Sequence, residues 1–228
     1  FKGNEFTAFG TAIHAVCEKK LLKEEIDDER FFVRSFNDCI SDLGDDVPVD
    51  SRLVDQMVGQ GKAILPEVEK ALISYFGYDF EVFSTEERIY EPMEGLELKF
   101  KGFIDAVIKT PDGKYHIVDW KTCSWGWNAR KRADPMVTYQ LTLYNNYFCQ
   151  KMNVDPNDVE THFALLKRTA SKNRVEFFRV TSGPKKTENA LKLLNTALYN
   201  IQNKRYIKNK LSCTGGYGCK FYNTEHCP

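Results

Sequence analysis

At 228 residues and 42% hydrophobic content the chain can bury one substantial core, and 32 basic against 32 acidic residues exclude a uniformly basic binding protein. No transmembrane run, secretory signal, internal repeat or low-complexity tract is visible, which excludes an integral helical membrane protein and a repeat scaffold. The charge is unevenly placed: residues 1–120 carry 14 Lys and Arg against 25 Asp and Glu, and residues 121–228 carry 18 against 7. A cationic second half is suited to following a polyanion.

In chain order, helical periodicity runs over 6–23, 29–43 and 51–76, with Pro66 expected to break or kink the third helix. Residues 24–55 hold eleven acids and three arginines and are expected to face solvent or a protein partner. β-Branched and aromatic runs at 81–90, 102–110 and 114–121 read as strands, the last two flanking the turn signal Pro111-Asp112-Gly113-Lys114. A helix over 134–151, strands over 160–167 and 174–180, and a helix over 184–206 with Pro184 near its start complete the pattern. The expectation is a single α/β domain with a central mixed sheet: a helical region at 1–78, a sheet core at 79–182 and a C-terminal helix with a cysteine-containing tail at 183–228. Phe1 rather than Met opens the sequence, so truncation or processing is expected before it.

The hairpin concentrates the chemistry. Partners across a turn centred near Asp112 have numbers summing to 224 or 225, which sets Asp105 opposite Asp119 or Trp120. Asp119 and Lys121 are two apart on one strand and point the same way. Two carboxylates and an amine therefore converge in an otherwise apolar sheet, where like charges repel unless a cation relieves them. Mg²⁺ takes carboxylate oxygens and water and can hold a phosphate, as phosphodiester hydrolysis requires. The plainer alternative is two solvent-facing aspartates with a salt-bridged lysine. A loop centred near residue 96 places Glu87 beside Asp105 as a third acid, with Glu86 remaining open because register is counted to within a residue. Gln140 and Tyr144, four apart, share a helix face toward the hairpin end, although an ordinary amphipathic helix packing Leu141, Leu143 and Phe148 has the same pattern. Candidate polyanion contacts are Arg130, Lys131 and Arg132, then Lys167, Arg168, Lys172, Arg174, Lys185 and Lys186.

Four short segments, Gly10-Thr11-Ala12-Ile13-His14, Gly102-Phe103-Ile104-Asp105, Asp119-Trp120-Lys121 and Gln140-Leu141-Thr142-Leu143-Tyr144, together resemble in order and spacing the PD-(D/E)XK nuclease superfamily, and within it the RecB-like branch of recombination-helicase nuclease domains, CRISPR-adaptation exonucleases and phage exonucleases. The resemblance implies a restriction-endonuclease-like fold and a Mg²⁺- or Mn²⁺-dependent deoxyribonuclease, expected to act as an exonuclease on single-stranded or duplex DNA ends in recombination, repair or phage DNA processing. It further implies that Asp105, Asp119 and the Trp120 carbonyl are metal ligands. His14 would approach the same ion, Glu87 would be a third acid, and Lys121 would orient or help deprotonate the attacking water. Gln140 and Tyr144 would bind DNA near the cut, and a helicase or recombination protein is an implied partner. The competing reading is a non-catalytic nuclease-like DNA-binding or assembly module, disfavoured by the intact acidic and basic set. A sugar- or nucleotide-handling enzyme lacks any supporting phosphate loop.

Seven cysteines, an odd number without a signal peptide, argue for reduced thiols in the cytoplasm, which the resemblance places in a bacterial, archaeal or phage-infected cell. Cys17, Cys39, Cys123 and Cys149 are scattered. Cys213, Cys219 and Cys227 lie in a glycine-rich tail able to wrap an ion. Many RecB-like nucleases hold a 4Fe–4S cluster with one cysteine before the nuclease core and three after it, and a fourth ligand here would precede Phe1. The spacing departs from the tighter one usual in that branch. Zinc bound with His226, or no metal, are the alternatives.

Overall fold

The computed structural model describes residues 3–205, 213, 219 and 221–225, and the chain divides into two compact units, Phe1–Thr187 and Glu188–Pro228. The first unit begins with three capped helices. Asn4 caps α1 (Glu5–Leu21) through a reciprocal box with Thr7, while Asp27 and Asp50 accept first-turn amides of α2 (Asp28–Ser41) and α3 (Ser51–Phe76). Their apolar faces meet around Phe9, Phe32 and Phe36, whose ring centroids lie 5.5–5.8 Å apart. Gly61 makes this packing possible, because a methyl group there would stand 2.2 Å from the Phe32 ring. Of the break or kink expected at Pro66, the break does not occur: α3 continues through it to Phe76. Burial of Leu65 and Val68 on either side holds the helix across the missing donor.

Five strands follow, hydrogen-bonded in sequence order: β1 (Glu81–Pro92), β2 (Lys99–Lys109), β3 (Tyr115–Cys123), β4 (Val159–Lys167) and β5 (Val175–Val180). All pairs are antiparallel except β3 and β4, which run parallel, so the sheet is mixed as expected. A parallel pair requires a crossover, and α5 (Pro135–Met152), capped by Asp134, supplies it. The short helix α4 (Ala129–Ala133) and a 3₁₀ turn at Pro156–Asp158 were not legible in the sequence, since neither is long enough to show a period. Helices α1–α3 cover the sheet face carrying Ala106, Ile108, Val118, Trp120, Ala164 and Leu166.

The β2–β3 turn is built as its composition requires. Gly113 takes φ +85°, its N–H donates to the Thr110 carbonyl at 2.9 Å, and Thr110 N–H donates to the Lys114 carbonyl at 3.1 Å. That closure sets Lys109 opposite Tyr115 and Ala106 opposite Val118. Pro184 opens α6 (Pro184–Gln202), the helix expected over 184–206. In the second unit Cys219 N–H donates to the Cys213 carbonyl at 3.1 Å. Cys227 and His226 lie outside the described residues. Among the described residues no helix is long and apolar enough to cross a membrane.

Candidate active site

Backbone pairing of β2 to β3 ends at Ala106 and Val118, one residue short of Asp105 and Asp119. Beyond that point a side chain takes over: Trp120 N–H donates to Asp105 Oδ2 at 2.7 Å. The indole of Trp120 is only 1% exposed and belongs to the core under α1–α3, which anchors this stretch of β3. Asp119 is itself 2% exposed. Its Oδ1 accepts from Gln140 Nε2 at 2.9 Å, and the same amide nitrogen lies 3.2 Å from the Tyr144 hydroxyl, so the two α5 residues do face the hairpin end. Gly102 helps place that tyrosine, because a Cβ there would meet its ring at 2.8 Å.

Lys121 Nζ stands 2.5 Å from Asp119 Oδ2 and above the Phe163 ring, 5.7 Å from its centroid. The ammonium and the carboxylate form a close ion pair. From α1, His14 Nδ1 comes to 3.8 Å from Asp105 Oδ2, too long for a hydrogen bond, while His14 Nε2 is buried and unpartnered. Residues from four elements therefore meet at one place: His14, Asp105, Asp119 with Lys121, and Gln140.

The electrostatics are those of a site held short of positive charge. Burial raises the proton affinity of Asp105, opposed by the Trp120 N–H and the Lys121 charge, with Glu86 adding to the rise. Burial likewise raises Asp119, with Lys121 opposing and Asp105 reinforcing. His14 is pushed down to about 4, chiefly by burial, so its ring is a neutral imidazole at physiological pH. Two hard carboxylates, a neutral imidazole and, among the described residues, a buried and unpartnered His14 Nε2 in one constellation fit a divalent cation with oxygen and nitrogen ligands, Mg²⁺ or Mn²⁺, the imidazole favouring Mn²⁺.

Glu87 is not beside Asp105. It pairs with Ile104 and Thr85 pairs with Ala106, so Glu86 falls opposite Asp105. The register differs by one from the sequence count, and a slip of one exchanges which of two adjacent side chains looks at a given partner. The Glu87 carboxylate instead holds Lys151 Nζ of α5. Glu86 takes φ +47°, and burial together with the charge of Glu18 raises its proton affinity. Glu18 follows His14 by four residues on α1 and accepts from Thr85 Oγ1 at 3.3 Å. Its i+4 spacing from His14 is the signal that would have singled it out.

The basic candidates divide. Arg132 is committed to Glu176 at 2.6 Å, to the Trp127 carbonyl at 2.8 Å and to the Phe178 ring. Lys167 is buried and paired with the same Glu176, and Arg168 is buried against Gln60 and Ser124. These three hold the fold together. Arg130 and Lys131 are exposed on α4, Lys131 lying over the Trp127 ring. The thiols of Cys17, Cys39, Cys123 and Cys149 are free, Cys17 and Cys149 being buried.

A model of the PD-(D/E)XK nuclease superfamily matches residues 2–227, and the chain belongs to that superfamily. Among solved structures, one described as a "Putative exonuclease" from Eubacterium rectale superposes with a TM-score of 0.55 at 12% identity, covering 90% of this chain and 70% of that one. It shares the restriction-endonuclease-like fold. A structure of SSO0001 matches with a TM-score of 0.37 at 17% identity over 65% of this chain and 67% of its own. No curated protein matches the sequence.

Proposed function

We propose that the chain is a divalent-metal-dependent deoxyribonuclease of the RecB-like branch that hydrolyses phosphodiester bonds at DNA ends, with roles in recombination, repair or phage DNA processing. The observation that carries this reading is the meeting of Asp105, Asp119, Lys121 and His14 where β2 and β3 stop pairing. Asp105, Asp119, His14 and the Trp120 carbonyl would hold the ion. Bound there, Mg²⁺ or Mn²⁺ supplies positive charge to a scissile phosphate and lowers the proton affinity of an attacking water.

The chain's own groups do the rest. Lys121, held over Phe163 and against Asp119, orients the water and donates to phosphate oxygens as their negative charge grows. Gln140 fixes the rotamer of Asp119 and, with Tyr144, reaches toward the DNA strand near the cut. Glu86 adds acidic charge toward Asp105, and Glu18 in turn acts on Glu86. Arg130 and Lys131 are the proposed backbone contacts on α4. A helicase or recombination partner and a cytoplasmic site of action belong to the same reading. Cys213, Cys219 and Cys227 are proposed ligands of a 4Fe–4S cluster or zinc: a broad visible band in anaerobically purified protein reports the cluster, and a colourless protein with stoichiometric zinc by elemental analysis reports the alternative.

End-labelled linear DNA and a covalently closed single-stranded circle, each incubated in Mg²⁺ and in Mn²⁺, test the activity. Linear DNA is degraded and the circle is spared; Lys121→Ala abolishes cleavage while DNA affinity is kept. Cutting of the circle as fast as the linear strand contradicts end dependence, and wild-type cleavage by Lys121→Ala contradicts the site.

A further inference from the structure

A second group of ligating side chains lies away from the candidate active site. Parallel pairing of β3 and β4 sets His116 opposite Glu160 and Val118 opposite His162. With a period of two, His116, Glu160 and His162 share the sheet face of Val118 and Trp120, under α3, whereas Asp119 points to the other side. The C-terminal turn of α3 confirms this, since the Phe76 ring packs on both histidine rings at 5.2 and 5.5 Å.

One ligand atom from each of the three residues falls within 4.8 Å of the others. His116 Nδ1 and His162 Nε2 share a hydrogen bond at 3.0 Å, and Glu160 Oε2 lies 3.9 and 4.0 Å from them, so an ion bound here would take the place of the proton between the two nitrogens. The outward nitrogens are already oriented: His116 Nε2 is 2.9 Å from Thr110 Oγ1, and His162 Nδ1 is 3.2 Å from the Tyr75 hydroxyl. Glu160 is oriented too, because Lys114 and Arg179 both take its Oε1 at 3.2 Å and leave Oε2 turned to the histidines. Imidazoles that ligate metals characteristically have the second ring nitrogen fixed by an oxygen in this way. A purely structural histidine pair needs no carboxylate oxygen facing the same point. The group lines a groove of about 410 Å³ together with Thr110, Asp112 and Tyr75, which gives an ion access and room for water to complete its coordination.

We propose that His116, Glu160 and His162 form a binding site for a divalent transition-metal ion of the zinc class, separate from the Asp105–Asp119 constellation. Two imidazoles and one carboxylate with an open position suit such an ion better than Mg²⁺. Only the folded chain brings β3 and β4 into this register, so binding stabilises the sheet and, through Tyr75, the end of α3 on it.

Co²⁺ is the probe, because its visible absorption reports nitrogen and oxygen coordination. The titration uses the full chain carrying Asp119→Ala, to disable the active site, and serines at Cys213, Cys219 and Cys227, to remove the tail thiolates. The expected result is saturable visible absorption at one equivalent, displaced by Zn²⁺. Adding Glu160→Gln, or separately His162→Gln, weakens Co²⁺ binding about tenfold or more. Far-ultraviolet circular dichroism checks the fold of each variant, and Glu160→Gln, which keeps shape at a partly exposed position, carries the test if His162→Gln does not fold. Absence of saturable absorption in the parent, or unchanged affinity in Glu160→Gln, overturns the site.

Discussion

Trp120 N–H donates to Asp105 Oδ2 at 2.7 Å, so a carboxylate of β2 completes the ladder to β3 at the point where backbone pairing stops. The bond does two things. It fixes Asp105 beside Asp119, and it carries the β2–β3 connection one step past the last backbone pair, Ala106 with Val118. The intervening Trp120 side chain, buried on the opposite face, resists rotation of the strand.

The register of β1 separates two adjacent glutamates by role. Glu86→Gln is expected to lower DNA cleavage and raise the metal concentration needed for it, because Glu86 adds to the field on Asp105. Glu87→Gln is expected to leave cleavage close to wild type and to lower the thermal midpoint by loosening Lys151 of α5. Metal-dependence curves of the two variants check the assignment.

A second prediction follows from the raised proton affinities of Asp105 and Asp119. A carboxyl whose folded-state value lies above its unfolded value contributes stability while protonated and loses it as pH rises through the folded value. Without metal, the pair therefore destabilises the fold as pH climbs above the ordinary carboxylate range. His14, at about 4, is already neutral there. Mg²⁺ bound at the proposed site would replace the lost protons, so the rise in thermal midpoint caused by Mg²⁺ should grow from about pH 5 to about pH 8, a span crossing the carboxylate and histidine ranges. Scanning calorimetry of wild type against Asp119→Asn measures it, and the growth should vanish in the variant.

Most of this arrangement could be read from residue patterns, and what could not has identifiable causes. The Pro111-Asp112-Gly113 turn dictates the β2–β3 register, so Asp105, Asp119 and Lys121 followed from counting. The β1–β2 loop also turns at a glycine, Gly95 at φ +72°, but it runs on through Leu96 and Glu97 before Leu98 closes on Met93, so its centre was not countable to one residue and Glu87 was expected where Glu86 stands. Charge alone also could not separate Arg132, Lys167 and Arg168 from surface cations. Glu176, the partner of Arg132 and Lys167, lies on β5, and Gln60 and Ser124, the partners of Arg168, lie on α3 and beyond β3, so only the folded chain brings them together. The group of His116, Glu160 and His162 was invisible for the same reason, since it exists only through the parallel pairing of β3 with β4.

On α4, Arg130→Ala and Lys131→Ala should each weaken DNA binding at low salt and reduce the slope of log affinity against log salt by about 1. Arg132→Ala should leave that slope unchanged and lower stability instead, because it strips Glu176 of a partner. Binding isotherms over a salt series, paired with thermal melts, distinguish the two outcomes.

Gly61→Ala tests the helical layer. Its new methyl would clash with the Phe32 ring at 2.2 Å, so overpacking is expected to cost about 1–3 kcal/mol despite the better helix propensity of alanine. Urea unfolding should show a lower midpoint with an unchanged slope.

Anomalous diffraction from crystals soaked in Mn²⁺ tests the central claim most directly. The predicted result is a peak within coordination distance of Asp105, Asp119 and His14, next to the Lys121 ammonium, that disappears in Asp119→Ala. Density with no peak among those residues, or a peak that persists in Asp119→Ala, would contradict the account.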